Sequence, residues 1–265
     1  MEILIPSTFG SEERDPKLIA FKIGQIARAC GIFGVKKIII YRDSDEKVNT
    51  KLTSVRIEKF LKYLECPPYL RKLLIPYDKD LREANVLSPL QIPAHGYSET
   101  YREGVVLKNQ NPSIVEAGFK NPVEINQNLK KGSRVTLEKT DLGFKLAEKI
   151  HGFWTFKIEN IDLDLKTILQ EKRKEKKIII GTSKIGEKIS KVKSQIKKLD
   201  FENVVLVFGC AWRGVQEILK NCNVSESELK TYFDFIINLV PEQHTKTVRT
   251  EEALIIGLGL FNSWK

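Results

Sequence analysis

Ten residues, 241–250, read PEQHTKTVRT and hold His244, Lys246, Arg249 and three threonines between two apolar segments, FIINLV and ALIIGLGLF. That is more polar chemistry than a connection between buried elements needs, and its cations and hydroxyls suit a bound ligand. Two other apolar segments, IIIGTSKIG and VVLVFGCAWRG, also stop in glycine and polar residues. In parallel α/β sheets ligands lie outside the carboxyl ends of strands, so the three loops are expected to converge on one pocket. Gly181 and Gly209 would let backbone approach a ligand closely, and Pro241 would stiffen the third loop; each glycine taken alone also suits a simple turn. GTSKIG lacks the Gly-Lys-Ser/Thr of a phosphate loop, and FGCAWRG does not have the glycine spacing of a dinucleotide loop. Thr250 is placed to cap the following helix, with Glu251 and Glu252 in its first turn, where the macrodipole favours them. That helix is apolar on nearly every side and so is expected to be buried, in part against a second subunit.

A parallel sheet must position these loops. Residues 2–8 read as a short buried strand, and Asp15-Pro16 as an N-cap followed by proline at the first helical position. Ile19, Ile23, Ile26 and Cys30 then recur on one helical face, which Gly31 and Gly34 end. Residues 37–41 form a β-branched strand, and residues 53–65 a second helix with Ile57, Phe60, Leu61 and Leu64 inward, stopped by Pro67-Pro68. Five short segments follow, GVVLK, SIVEAGF, PVEIN, SRVTLEK and FWTFKI, and they suggest a small barrel; the phrase LKKGSRVTLE suits an OB-like fold. Beyond a charged helical link at 165–177 the α/β pattern returns, with strands at 177–181, 204–209 and 235–239 and helices at 185–199, 214–221 and after 250. The expected architecture is one α/β domain, residues 1–98 and 161–265, interrupted at 99–160 by an inserted OB-like β-barrel. Neither α/β part alone has enough strands for a stable sheet.

The formal charge is +10 over 265 residues, with Lys and Arg spread along the whole length. So basic a surface favours polyanions, nucleic acid being the commonest soluble one, although a solvated lysine-rich surface explains the same charge. Phe153, Trp154 and Phe156 with Lys157 offer stacking surface and charge to single-stranded RNA, or else fill the barrel core. Cys30, Cys66, Cys210 and Cys222 form no close pair and no metal-ligand spacing, so buried thiols and no metal are expected. No basic segment precedes ILIPSTF, and the longest apolar run is about half of a membrane span. No membrane association is expected, and the cytoplasm is the expected location.

LVFG with Gly214 downstream, then NLVP, then TKTVRTEEAL, resembles the SPOUT class of RNA methyltransferases. Through EILIPSTF, SPLQIPAHGY, REGVV, KKGSRVTL and IIIGTS the whole chain is similar to the archaeal and eukaryotic branch that carries an OB-like insertion. The resemblance implies a C-terminal trefoil knot, a rare exception to unthreaded topology, together with a homodimer and S-adenosylmethionine as cofactor. Carried onto this sequence, the cofactor would lie bent against backbone after Gly181 and Gly209, along 239–241 and against 247–250. The implied contacts are Thr182, Gly209, Gly214, Leu239, Val240, Pro241, Thr245, Thr247, Val248 and Thr250.

TVRTEEA is also similar to the RTETA motif of enzymes that methylate uridine N3 in ribosomal RNA, so the expected substrate is a base in rRNA, or else in tRNA. Arg249 is the expected catalytic residue, stabilising a developing anion on the base or orienting it; in a structural role it would pair with Glu251, Glu252 or a phosphate. Arg14 and Arg213, beside Trp154 and Lys157, are the candidates for RNA contact. Two other readings fit less of the chain. A non-catalytic RNA-binding or ribosome-assembly factor would have a degenerate pocket, and a nucleotide-binding α/β protein acting on small molecules would lack its phosphate loop.

Overall fold

In the computed structural model, which describes residues 1–264, the chain opens with β1 (Glu2–Pro6), buried throughout. Asp15 caps α1 (Pro16–Phe33) by accepting from the Lys17 amide, and Gly34 ends it in the left-handed region at φ 66°. β2 (Lys37–Arg42) follows, and Asn49 caps α2 (Thr50–Glu65) by accepting from the Leu52 amide, slightly ahead of the expected start. After the short α3 (Arg71–Leu74) come β3 (Tyr101–Lys108), β4 (Ser113–Glu116), β5 (Val123–Ile125), β6 (Arg134–Thr140) and β7 (Gly143–Leu146). β8 (Lys157–Asp164) runs directly into α4 (Leu165–Lys174), then β9 (Ile178–Lys188), α5 (Ile189–Ile196) and β10 (Val204–Val207). α6 (Val215–Asn221), α7 (Leu229–Tyr232), β11 (Phe235–Asn238) and α8 (Thr250–Asn262) complete it.

Six strands form one all-parallel sheet in the order β11-β9-β10-β1-β2-β8. Strands from both ends of the chain interleave in it, β1 lying between β10 and β2, as the strand-poor halves required. A parallel sheet needs cover on both faces. One face packs Ile23 and Ile26 of α1, Phe60 of α2, Val192 of α5 and Leu254 and Leu258 of α8. The other packs Leu165 and Leu169 of α4, Ile218 of α6 and Tyr232 of α7. No helix among the described residues is long and apolar enough to cross a membrane.

The remaining strands form an antiparallel sheet, β5-β4-β3-β6-β7, around Val106, Val115, Ile125 and Leu137. Its edge strands β5 and β7 lie side by side, so the sheet nearly closes on itself. Its fifth strand is Gly143–Leu146 and not FWTFKI. Trp154 and Phe156 are 9% and 1% exposed in the core of the large sheet, and Lys157 begins β8, which pairs in parallel with β2. The expected boundary at residue 160 therefore falls inside a strand of the α/β sheet. Alternation of residue types does not reveal which sheet a strand joins, because the pairing partner, residue 37 onward, lies far away in sequence. β9 likewise outruns its expected end: Glu187 and Lys188 still pair with β11, which delays α5 to Ile189.

Where the two sheets meet, Arg134 of β6 donates to both oxygens of Glu65 at 2.7 and 3.0 Å and to Glu103 at 3.0 Å. Trp154 Nε1 donates to Glu103 at 2.9 Å and Thr155 Oγ1 to Glu65 at 2.8 Å. Both carboxylates are buried, so these donors are what make their burial tolerable.

Candidate functional site

The three strand-end loops do converge. A cavity of about 330 Å³ opens past the carboxyl ends of β10 and β11 and beside residues 182–185 in the middle of β9, within the size range of ligand sites. Of the residues expected at a cofactor, Thr182, Gly209, Gly214, Leu239, Val240, Thr247, Val248 and Thr250 line it; Pro241 and Thr245 do not. Thr245 instead donates to the Thr247 carbonyl at 3.0 Å, holding the third loop to itself.

Hydrogen bonds join the loops into one rim. Lys184 Nζ donates to the Lys246 carbonyl at 3.0 Å, and Asn238 Nδ2 to the Lys184 carbonyl at 2.7 Å, which ties the first loop to the third. Thr250 Oγ1 donates to the Gly209 carbonyl at 2.8 Å, tying the second to the third. Ser183 Oγ donates to Gln216 on α6 at 2.7 Å. The second loop is a tight turn, the Cys210 amide donating to the Arg213 carbonyl at 3.0 Å. Gly209 is required there, because an added Cβ would overlap the Arg213 carbonyl oxygen and stand 3.0 Å from Gly214 Cα. At Gly214 a Cβ would meet only Ser183 Oγ at 3.6 Å, so packing does not demand glycine and its bareness leaves room in the cavity.

The charged candidates are placed differently from expectation. Arg249, and not Thr250, is the N-cap of α8; its amide donates to Glu252 at 2.8 Å, while Thr250 is the first helical residue. The guanidinium pairs with neither Glu251 nor Glu252 but with Glu13, 3.0 Å away and 236 residues earlier. Glu13 also contacts Lys22 at 2.8 Å, and Lys22 further meets Glu12 and Glu251. The Lys22 ammonium beside Glu13 holds that carboxyl below its usual range. Burial pushes the Glu251 carboxyl up, and its Oε2 has no hydrogen-bond partner.

Arg213 is not free for RNA, since Asp43 at 2.8 Å, Asp45 at 3.1 Å and the Ser44 carbonyl at 3.0 Å occupy its guanidinium. Trp154 is withdrawn into the core, whereas Arg14 and Lys157 are exposed. Cys30 and Cys66 are buried thiols, burial pushing Cys66 up to about 11, but Cys210 and Cys222 are half-buried. Sequence reasoning missed Trp212, Gln216, Lys184 and Asn238 in the cavity wall, and Lys22 beside it. Lys22 carried a signal: it falls within the apolar stripe of Ile19, Ile23 and Ile26, where a cation is buried and must be paired.

The family model described as "Putative RNA methyltransferase" matches residues 1–261. The chain is 28% identical over 297 residues to 28S rRNA (uridine-N(3))-methyltransferase of Homo sapiens, covering 98% of this chain and 77% of that protein. The protein of the same name from Drosophila melanogaster is 28% identical over 302 residues, covering 98% of this chain and 61% of its own. Among solved structures, the SpoU methyltransferase AviRb from Streptomyces viridochromogenes with AdoMet covers 98% of this chain and 56% of that chain. At 9% identity and a TM-score of 0.39 the likeness is too remote to speak for the details of either fold.

Proposed function

Because the chain belongs to the Putative RNA methyltransferase family, we propose that it transfers a methyl group from S-adenosylmethionine to a base of ribosomal RNA, with uridine N3 as the target atom. The observation that carries this reading is the cavity itself, walled by the three segments that resemble the SPOUT cofactor loops. Its chemistry fits the cofactor: Leu239, Val240, Phe208 and Ala253 offer apolar surface to an adenine, Thr182 and Thr250 offer hydroxyl groups, and the bare backbone at Gly214 leaves space. S-adenosylmethionine, when bound, supplies an activated methyl group. Residues 182–184, 239–240, 247–248 and 250 would hold it, and the hydrogen bonds between the loops keep that rim assembled before binding, which limits the ordering cost.

Attack by uridine N3 requires loss of its proton, and the anion left on the ring is stabilised by a nearby cation. Arg249, 49% exposed on its side chain and adjacent to the cavity-lining Val248 and Thr250, takes that role; Glu13 anchors the guanidinium. On the same reading the segment after β11 is threaded as a trefoil knot. The small sheet is an inserted OB-like barrel that grips RNA with the +10 surface and exposed Arg14 and Lys157, and the chain divides near residue 98 and again ahead of β8. Leu18 and Phe21 of α1 and Ile255 and Ile256 of α8, 36–48% exposed on two helices that pack together, support a homodimer through this face. The cytoplasm remains the proposed location, and tRNA the second substrate.

Tritiated methyl transfer to rRNA tests the reading. Wild-type protein is expected to label the RNA, and Arg249→Ala to lose about a hundredfold in rate, the scale of one removed stabilising donor. Wild-type protein that binds RNA in a salt-sensitive way, yet gives no heat with S-adenosylmethionine in calorimetry, would instead be a non-catalytic RNA-binding factor.

A further inference from the structure

We propose that Trp212 is the stacking platform for the target base of the RNA, a role that rests on the reading of the neighbouring cavity as the methyl-donor site. Trp212 stands in the four-residue turn 210–213 of the second loop, lines the cavity and is nevertheless 42% exposed. An indole so placed loses apolar contact with the protein and gains none, unless something else covers its face.

The turn is fixed before any ligand arrives. Trp212 Nε1 donates to Asp45 at 3.3 Å, and Arg213 beside it is held by Asp43, Asp45 and the Ser44 carbonyl. Asp43, 2% exposed, in turn accepts from Thr8 Oγ1 at 2.6 Å. An aromatic plane with a settled orientation binds a flat partner without first having to be ordered. The same contacts neutralise Arg213, so the exposed group on this turn is an indole and not a free cation, which suits a nucleobase better than a phosphate.

Two flat groups meet at the proposed site, the adenine of the cofactor and the base of the RNA, and position favours the latter. The cavity lies past the ends of β10 and β11 and beside the middle of β9, whereas Trp212 is tethered to residue 45, which follows β2. In the sheet order β10 is followed by β1 and then β2, so the turn leans away from the cavity centre across the end of β1. Trp212 thus stands on the β1–β2 side of the cavity, and an unstacked base entering from that side would meet its exposed indole. A base removed from its helix needs such a surface to replace its lost stacking.

Full-length wild type, W212F and W212A test this with a single-stranded oligouridylate, an rRNA fragment and S-adenosylhomocysteine. In a W264F background, where Trp154 is buried in the core and Trp212 is the remaining exposed indole, oligouridylate is expected to quench the tryptophan fluorescence, and the quenching to vanish when W212F is added. W212A is expected to raise the KM for rRNA about tenfold, within the range of one base–aromatic stack, with W212F recovering most of it and S-adenosylhomocysteine affinity changing less than about twofold in both. Quenching that persists when W212F is added to W264F overturns the proposal. So does W212A that weakens S-adenosylhomocysteine while leaving the KM for rRNA in place, which would assign the indole to the cofactor's adenine. Wild type that transfers no methyl group sinks the proposed function alone, since the quenching comparison still decides whether Trp212 meets a base.

Discussion

A single lysine organises the charges beside the cavity. Burial of Lys22 would lower its pKa, but the hydrogen bonds it donates to Glu12 and Glu13, with Glu251 close by, outweigh that and raise it. Lys22 is 4% exposed, and its ammonium neutralises carboxylates contributed by the approach to α1 and by α8. Lys22→Met is therefore expected to cost about 3–5 kcal/mol in urea denaturation, the scale of a buried charge left without its partner. Glu13 adds a pH signature. Its folded pKa lies below the ordinary 4.5, so its pairing stabilises the protein above that value and is lost as pH falls through it. Thermal melts below about pH 5 should show a shallower acid decline in Glu13→Gln than in wild type; identical slopes would remove Glu13 from the charge cluster.

At the scale of elements, three short loops share one rim only because β9, β10 and β11 are neighbours in the sheet. The two glycines of the second loop separate folding from binding. Gly209→Ala must open the turn, since its Cβ overlaps the Arg213 carbonyl oxygen, and it is expected to lower the melting temperature and S-adenosylhomocysteine affinity together. Gly214→Ala meets only Ser183 Oγ at 3.6 Å. It should melt within about 0.5 kcal/mol of wild type, as an ordinary surface change does, while binding the cofactor product more weakly in calorimetry. Equal effects of the two substitutions on stability would contradict this division.

The whole molecule is held together by the joint at which Glu65 and Glu103 meet Arg134, and His95 belongs to it. Its ring Nε2 lies 3.0 Å from the Glu65 carbonyl oxygen, and burial pushes its pKa below the ordinary 6.5. With a folded value below the unfolded one, the unfolded chain takes up the proton first. Stability is then full above about pH 6.5 and declines as pH falls through that region. The melting temperature of wild type should fall between about pH 7 and pH 5, and His95→Gln should flatten that limb. An unchanged limb would mean that another group titrates there.

Local sequence determined a good deal of this protein. The N-cap at Asp15, the stop at Gly34, the stripe of Ile19, Ile23 and Ile26, and the ends of β10 and β11 just before Gly209 and Val240 are settled by residues within a turn or two of each other. Eight of the ten expected cofactor contacts consequently line the cavity. Tertiary structure alone decided which sheet residues 157–164 join, why Trp154 is core and Trp212 is rim, and that Arg249 rests on Glu13. Those outcomes turn on partners 120, 51, 167 and 236 residues distant, as in the contacts of Arg42 with Asp162, Trp154 with Glu103, Trp212 with Asp45 and Arg249 with Glu13. Periodicity and capping act over a few residues, whereas strand pairing and the partnering of buried charge depend on what the folded chain brings alongside.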